Sequence, residues 1–290
     1  MNWFDRLKSG IRTVVRRGMP EDLYLKCDRC HQMILRKHLD EHFGTCPHCD
    51  HHFRIHYRKF LDLVIDPNSF EEVAAEVRSA DPLQFEDRIK YADRIKDYSK
   101  RTGMDAAVCA CVSRIEGRPV GIAIHEFGFI GGSIGAAEGE RICRLIDRCI
   151  REKMPLVIIC RSGGARMQES ALSLMQLAKI NARLARFSES QMPFISVLTD
   201  PTTAGVSASY ALLGDVNIAE PNALIGFTGE RITGSSVGEE ELAALRRSQR
   251  AEMVMENGFV DMVVHRKHLR TTLANLFSLF LDDTKRMTGS

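Results

Sequence analysis

Two stretches decide the fold. Pro155-Leu156-Val157-Ile158-Ile159-Cys160 leads into Ser162-Gly163-Gly164-Ala165-Arg166-Met167-Gln168-Glu169. Pro193-Phe194-Ile195-Ser196-Val197-Leu198-Thr199 leads into Asp200-Pro201-Thr202-Thr203-Ala204-Gly205-Val206-Ser207-Ala208-Ser209. Each reads as an apolar strand, a turn of small residues and a helix, the helices starting near 165 and 205. Apolar runs of this length bounded by turn residues suit strands buried on both faces of a sheet. Glycine at the strand-to-helix turn permits backbone conformations closed to other residues and lets a ligand come close. The following helix turns unpaired N–H groups toward that ligand. Two such turns suggest a site that holds a developing negative oxygen on backbone amides. Gly131-Gly132-Ser133-Ile134-Gly135 is a third glycine-rich piece, but it lacks the lysine of a phosphate loop.

Outward from this centre, Val108–Val112 and Val120–His125 read as strands joined by a turn at Glu116-Gly117-Arg118-Pro119. A charged helical stretch covers 81–102. From Glu138, Ile142, Leu145, Ile146, Cys149 and Ile150 form one helical stripe. Short apolar pieces follow at 217–219 and 223–225, and His268–Leu281 reads as a closing amphipathic helix. Repeated strand–helix units in this order build a layered α/β fold with parallel pairing.

The chain has 290 residues, 44% hydrophobic and 27% charged, as in an ordinary globular protein with one or two domains. It has no apolar run long enough to span a membrane and no secretory signal, which points to the cytoplasm. The net charge of +2 is uneven: residues 1–60 carry 12 Lys and Arg against 7 Asp and Glu. The nine cysteines are too odd a set for a disulfide framework. Cys27-x2-Cys30 and Cys46-x2-Cys49, 15 residues apart, have the spacing of a four-cysteine zinc ribbon, a closed and therefore structural site. Cys109, Cys111, Cys143, Cys149 and Cys160 read as buried free thiols. The basic ribbon admits nucleic-acid binding, and equally a solvated face or a lid over an anionic ligand. Ahead of it, Trp3, Phe4, Leu7, Ile11, Val14 and Val15 suit either a docking helix or a frayed arm. Ser207 or Ser209 as a hydrolase nucleophile is a further reading, with His265 and His268 downstream.

These motifs resemble a known family. The ribbon cysteines followed by Asp50-His51-His52 are similar to those of the bacterial acetyl-CoA carboxylase carboxyltransferase beta subunit. So are Lys90-Tyr91-x-Asp93-Arg94, Gly131-Gly132-Ser133, the two turns quoted above, Asn217-Ile218-Ala219-Glu220-Pro221 and Gly258-Phe259-Val260-Asp261, in family order over nearly the whole chain. The resemblance implies an α/β chain of three parts. These are an arm (1–22), a zinc ribbon (23–60) and a crotonase-like carboxyltransferase domain of the ClpP/crotonase superfold (61–290). It implies transfer of a carboxyl group from carboxybiotin, borne on a biotin carboxyl carrier protein, to acetyl-CoA, giving malonyl-CoA for fatty-acid synthesis. The implied assembly is two beta with two alpha subunits, served by biotin carboxylase. By the same resemblance, the amides of Ala204 and Gly205 form an oxyanion hole, and Gly163 and Gly164 line the neighbouring turn.

The chain departs from the family pattern at Ala204, where glycine is usual. It departs again at Gly229-Glu230-Arg231-Ile232-Thr233-Gly234-Ser235-Ser236. Both leave open a divergent copy, tolerant of inhibitors or acting on another malonyl-type thioester. An alanine that keeps its amide aimed into the cleft is expected at φ < 0.

Overall fold

The computed structural model describes residues 23–227 and 238–287. The arm at 1–22 and the departure at 229–236 therefore lie outside the described residues. The chain divides between Phe53 and Arg54 into two compact units. In the first, β1 (Tyr24–Lys26) pairs antiparallel with β2 (Met33–Leu35), and α1 (Arg36–Glu41) follows. Its core is small: Ile34, Leu39, Cys27 and Cys46.

The second unit begins with α2 (Tyr57–Val64), β3 (Glu71–Val73) and α3 (Tyr91–Thr102). The hairpin of β4 (Val108–Ile115) and β5 (Arg118–His125) leads to α4 (Ala136–Glu152), β6 (Leu156–Ser162), α5 (Ser170–Ser188) and β7 (Phe194–Thr203). Then come α6 (Ala204–Ser207), β8 (Val216–Ala219), β9 (Ile225–Gly226), α7 (Glu239–Ser248), α8 (Ala251–Glu256), β10 (Met262–Val263) and α9 (Arg266–Met287). The sheet runs β10-β8-β7-β6-β5-β4-β3, with β9 also on β7. Pairing is parallel from β5 to β10 and antiparallel at β3–β4 and β4–β5.

Alternation explains the continuous apolar runs. Leu156, Ile158 and Cys160 face one core, together with Ile142, Leu145 and Ile146 of α4. Val157 and Ile159 face the other, together with Phe60 and Leu61 of α2 and Leu273 and Phe277 of α9. Both faces of β6 are thus covered, and burying each such side chain contributes about 1.5–3 kcal/mol. The five cysteines outside the ribbon are all buried.

Three helices differ from the sequence reading. The 81–102 stretch is helical only from Tyr91. Before it, Asp81 accepts the Phe85 amide, and Asp87 accepts those of Arg88 and Ile89, so aspartate side chains hold the backbone in turns. The helix after Gly163-Gly164 waits until Ser170, because Ile134 pairs with Ala165 and Arg166 donates its amide to Ile134 O. The helix near 205 is a single turn. Ser209 leaves the helical region at φ −132, ψ −119, and its hydroxyl lies 2.6 Å from Gly205 O.

A buried charge network fixes the first glycine turn from behind. The fully buried Arg166 guanidinium reaches Glu138 Oε1 and Ser133 O at 2.7 Å, Ser79 Oγ at 3.0 Å and Tyr91 OH at 3.1 Å. Glu138 also accepts the amides of Ala107 and Gly135. Tyr91 donates to Glu169, which accepts the Ala136 amide. Burial alone would raise the Glu138 carboxyl, but the Arg166 charge and these donors hold it below the ordinary range.

Removing one partner strands a buried charge, so Glu138→Ala should cost about 3–5 kcal/mol. Loss of the exposed Lys96–Asp93 pair by Lys96→Ala should cost under about 1 kcal/mol. Denaturant titration of both variants checks the contrast. Because the folded-state Glu138 pKa is depressed, its contribution is complete above its unfolded value near about 4.3. It is lost as pH falls through the folded value, so wild-type stability should drop in acid below that range and Glu138→Ala should show less of this drop.

Candidate functional site

Two sites emerge, one in each unit. In the ribbon, the residue after each knuckle's second cysteine, His31 at φ 60 and Asp50 at φ 56, turns the chain back on itself. The amide of His48 lies 3.4 Å from Cys46 Sγ. The Sγ atoms of Cys27, Cys30, Cys46 and Cys49 lie within 4.8 Å of one another. Cys27–Cys49 and Cys30–Cys46 are each 3.7 Å apart. A tetrahedron of thiolates about 2.3 Å from zinc has edges of about 3.8 Å, which the two 3.7 Å pairs match, so the donor set suits zinc. Among the described residues no histidine joins this group: His52 Nδ1 meets Asp50 O, and His51 stacks edge-on to Phe53. The ribbon's few buried apolar side chains leave metal binding as its main source of folding energy.

In the second unit, β6 and β7 are parallel neighbours, so the turns that follow them emerge side by side. A Cβ built on Gly164 would fall 2.7 Å from Ala204 Cβ and 3.4 Å from Gly205 N. Gly164 adopts φ +113, a region glycine alone occupies comfortably. Gly163 has no such demand, and a Cβ there would meet only Gly131 O, at 3.6 Å. The structure thus brings Gly163, Gly164, Ala204 and Gly205 together.

Ala204 overturns one expectation: its φ is +56, not negative. The chain leaves extended Thr203 (φ −134, ψ 169) and must turn at once into the α6 turn, and the methyl of Ala204 lies against Gly164. A left-handed alanine costs on the order of 1–2 kcal/mol. The serine-hydrolase reading fails on geometry. Ser207 Oγ lies 2.9 Å from Ala204 O and 2.8 Å from Gly226 O, and Ser209 Oγ is held at Gly205 O. Neither hydroxyl has a histidine to take its proton.

Side chains the sequence reading passed over support this centre. Tyr91 and Glu169 lie inside quoted motifs, but their burial was hidden there. Glu138, three residues into α4 and bonded to the Gly135 amide, carried a readable helix-start signal. Buried His125 and Tyr210 carried none.

The chain thus joins a four-cysteine ribbon to an α/β unit in which two small-residue turns abut at the ends of parallel strands. The chain matches the model of the carboxyl transferase domain over residues 54–288 and that of the acetyl-CoA carboxylase zinc finger domain over 24–49. It is 45% identical over 279 residues to the acetyl-coenzyme A carboxylase carboxyl transferase subunit beta of Chlorobium phaeobacteroides, covering 96% of this chain and 99% of that one. It is 46% identical over 277 residues to the counterpart of Chlorobaculum parvum, covering 96% and 98%.

The fold is also that of a Pseudomonas malonate decarboxylase heterotetramer (TM-score 0.62, 20% identity, 80% of this chain and 88% of that one). The transcarboxylase 12S shares it as well (TM-score 0.61, 24% identity, 84% and 43%). The chain belongs to the acetyl-CoA carboxylase carboxyl transferase subunit beta family, and it is a transferase subunit of a multisubunit carboxylase. No helix among the described residues is long and apolar enough to cross a membrane.

Metal analysis should find about one zinc per chain, lost on changing any of Cys27, Cys30, Cys46 or Cys49 to Ser. Gly163→Ala should change stability by less than about 1 kcal/mol, since its Cβ has room. Gly164→Ala, strained and in collision with Ala204, should cost more than about 2 kcal/mol. Thermal unfolding of the two variants side by side checks the difference.

Proposed function

We propose that the amides of Ala204 and Gly205 hold the enolate oxygen of an acetyl-CoA thioester while a carboxyl group arrives from carboxybiotin, giving malonyl-CoA for fatty-acid synthesis. The observation that supports this reading is the abutment of Gly164 on Ala204 and Gly205, which gathers the backbone of the two turns at one junction. Preorganised N–H donors act where charge develops in the transition state. Negative charge also develops on the biotin ureido oxygen, and in this reading an alpha subunit supplies the second hole. The assembly is then two beta with two alpha subunits, served by a biotin carboxyl carrier protein and biotin carboxylase. We place it in the cytoplasm, a location supported by the free buried thiols.

Co-expression with an alpha subunit tests the reading. Malonyl-CoA decarboxylation with biotin as acceptor should be negligible for this chain alone and appear with the partner. In that complex Gly205→Val keeps its amide but drives a side chain into Leu177, which should shift the backbone, misaim that amide and lower kcat by up to about 100- to 1000-fold, the size of a lost donor. Ala204→Gly keeps the amide, relieves the left-handed strain and adds unfolded-state entropy. It should raise stability by about 0.5–1 kcal/mol and leave kcat within about tenfold. Full activity of the isolated chain, or of Gly205→Val, would contradict the site.

A further inference from the structure

His125 ends β5 and Tyr210 follows the α6 turn, 85 positions later in the chain. Both are completely buried. His125 Nδ1 lies 3.0 Å from Gly132 O, and Nε2 lies 3.0 Å from Tyr210 OH, with the rings near parallel. A carbonyl only accepts, so Nδ1 carries the proton; Nε2 is then the acceptor and Tyr210 OH the donor. Burial pushes the imidazole pKa down to about 4, which keeps this tautomer neutral around pH 7.

The two ends of this chain of bonds reach different turns. Gly132 sits at φ +64 against the end of β6, where a Cβ would strike Arg161 O at 2.0 Å. Its neighbour Gly131 accepts the Gly163 amide at 2.9 Å, and Ile134 donates to Gly164 O at 2.9 Å. Segment 131–134 therefore forms one wall of the Gly163-Gly164 turn. Tyr210 belongs to the segment that leaves Ala204-Gly205, whose Gly205 carbonyl is held by Ser209 Oγ.

We infer that His125 and Tyr210 are positioning residues, a buried bridge from Gly132 O to the segment after Ala204-Gly205 that sets the spacing of the two turns. The inference rests on the site reading above. An apolar pair would fill the same volume, but it would leave Gly132 O without its donor and the spacing to packing alone. A displacement of about 1 Å at a reacting centre can lower turnover about a hundredfold.

The test is a double-variant cycle in the complex with the alpha subunit, reading kcat, KM and melting temperature. Tyr210→Phe removes one hydroxyl and leaves Nε2 unpaired; His125→Phe leaves Gly132 O and the Tyr210 hydroxyl unpaired. Each should lower melting temperature and lower kcat about ten- to a hundredfold, with KM within about twofold. The His125→Phe/Tyr210→Phe double variant no longer strands the Tyr210 hydroxyl, so its melting temperature should lie above that of His125→Phe but below wild type, since Gly132 O still lacks its donor, while kcat stays low. Recovery of kcat together with stability in the double variant would overturn the bridge, and so would unchanged kcat in Tyr210→Phe. Gly205→Val, assayed alongside, reports on the site reading by itself: loss there with full activity in Tyr210→Phe leaves the site standing and removes only the bridge.

Discussion

The pairing of Arg166 with Glu138 inside the protein is the constraint on which the first glycine turn, at the end of β6, depends. Two opposite charges without water are tolerated only when every remaining donor and acceptor is matched. Ser133, Ser79, Tyr91 and Glu169 do that matching around the guanidinium, and the Ala107 and Gly135 amides do it around the carboxylate. These groups come from the loop at Ser79, α3, the start of β4, the glycine-rich loop, α4 and the segment before α5. A single ion pair thus ties six separate pieces of chain to the residue two places after Gly164. The turn needs no rigidity of its own because its exit is clamped.

This arrangement separates support from chemistry. The charges of Arg166, Glu138 and Glu169 are buried behind the first turn, and the backbone of Gly164, Ala204 and Gly205 meets at the junction. In the proposed reading, charge that develops there meets dipoles already fixed in direction, so little reorganisation is required. Positive φ values gather in the same spot, at Gly131, Gly132, Gly164 and Ala204, and of these only Ala204 carries a steric cost.

Much of this was legible in the sequence. The strands 156–162 and 194–203 announced themselves because a strand covered on both faces has no polar alternation to obscure it. The ribbon was legible because cysteine spacing is nearly the whole geometry of a tetrahedral thiolate site. The extents of two helices were not, since Asp81 and Asp87 hold turns ahead of α3 and Ser209 lies where the chain leaves the α6 turn, local captures that composition does not reveal. Ala204 was misread in φ because its backbone is set by contact with Gly164, 40 residues earlier. The His125–Tyr210 bond was invisible for the same reason: neither residue belongs to a spacing pattern, and only the crossing of β5 with the segment after α6 makes them neighbours.

The sheet's margins carry a consequence for solubility during synthesis. Parallel strands assemble late, since their contacts are far apart in sequence, and half-formed sheets expose edges to other chains. Here the final strands are short: β3 has three residues and β10 has two. On β3, Glu71 and Glu72 are exposed and ion-paired to Arg148 and Arg141 of α4. A strand from another molecule would have to displace those pairs and bury their carboxylates to continue the ladder. Such edges discourage aggregation by intermolecular strand addition, so growth of this chain by β-pairing should be poor even at the high local concentrations of a polysome.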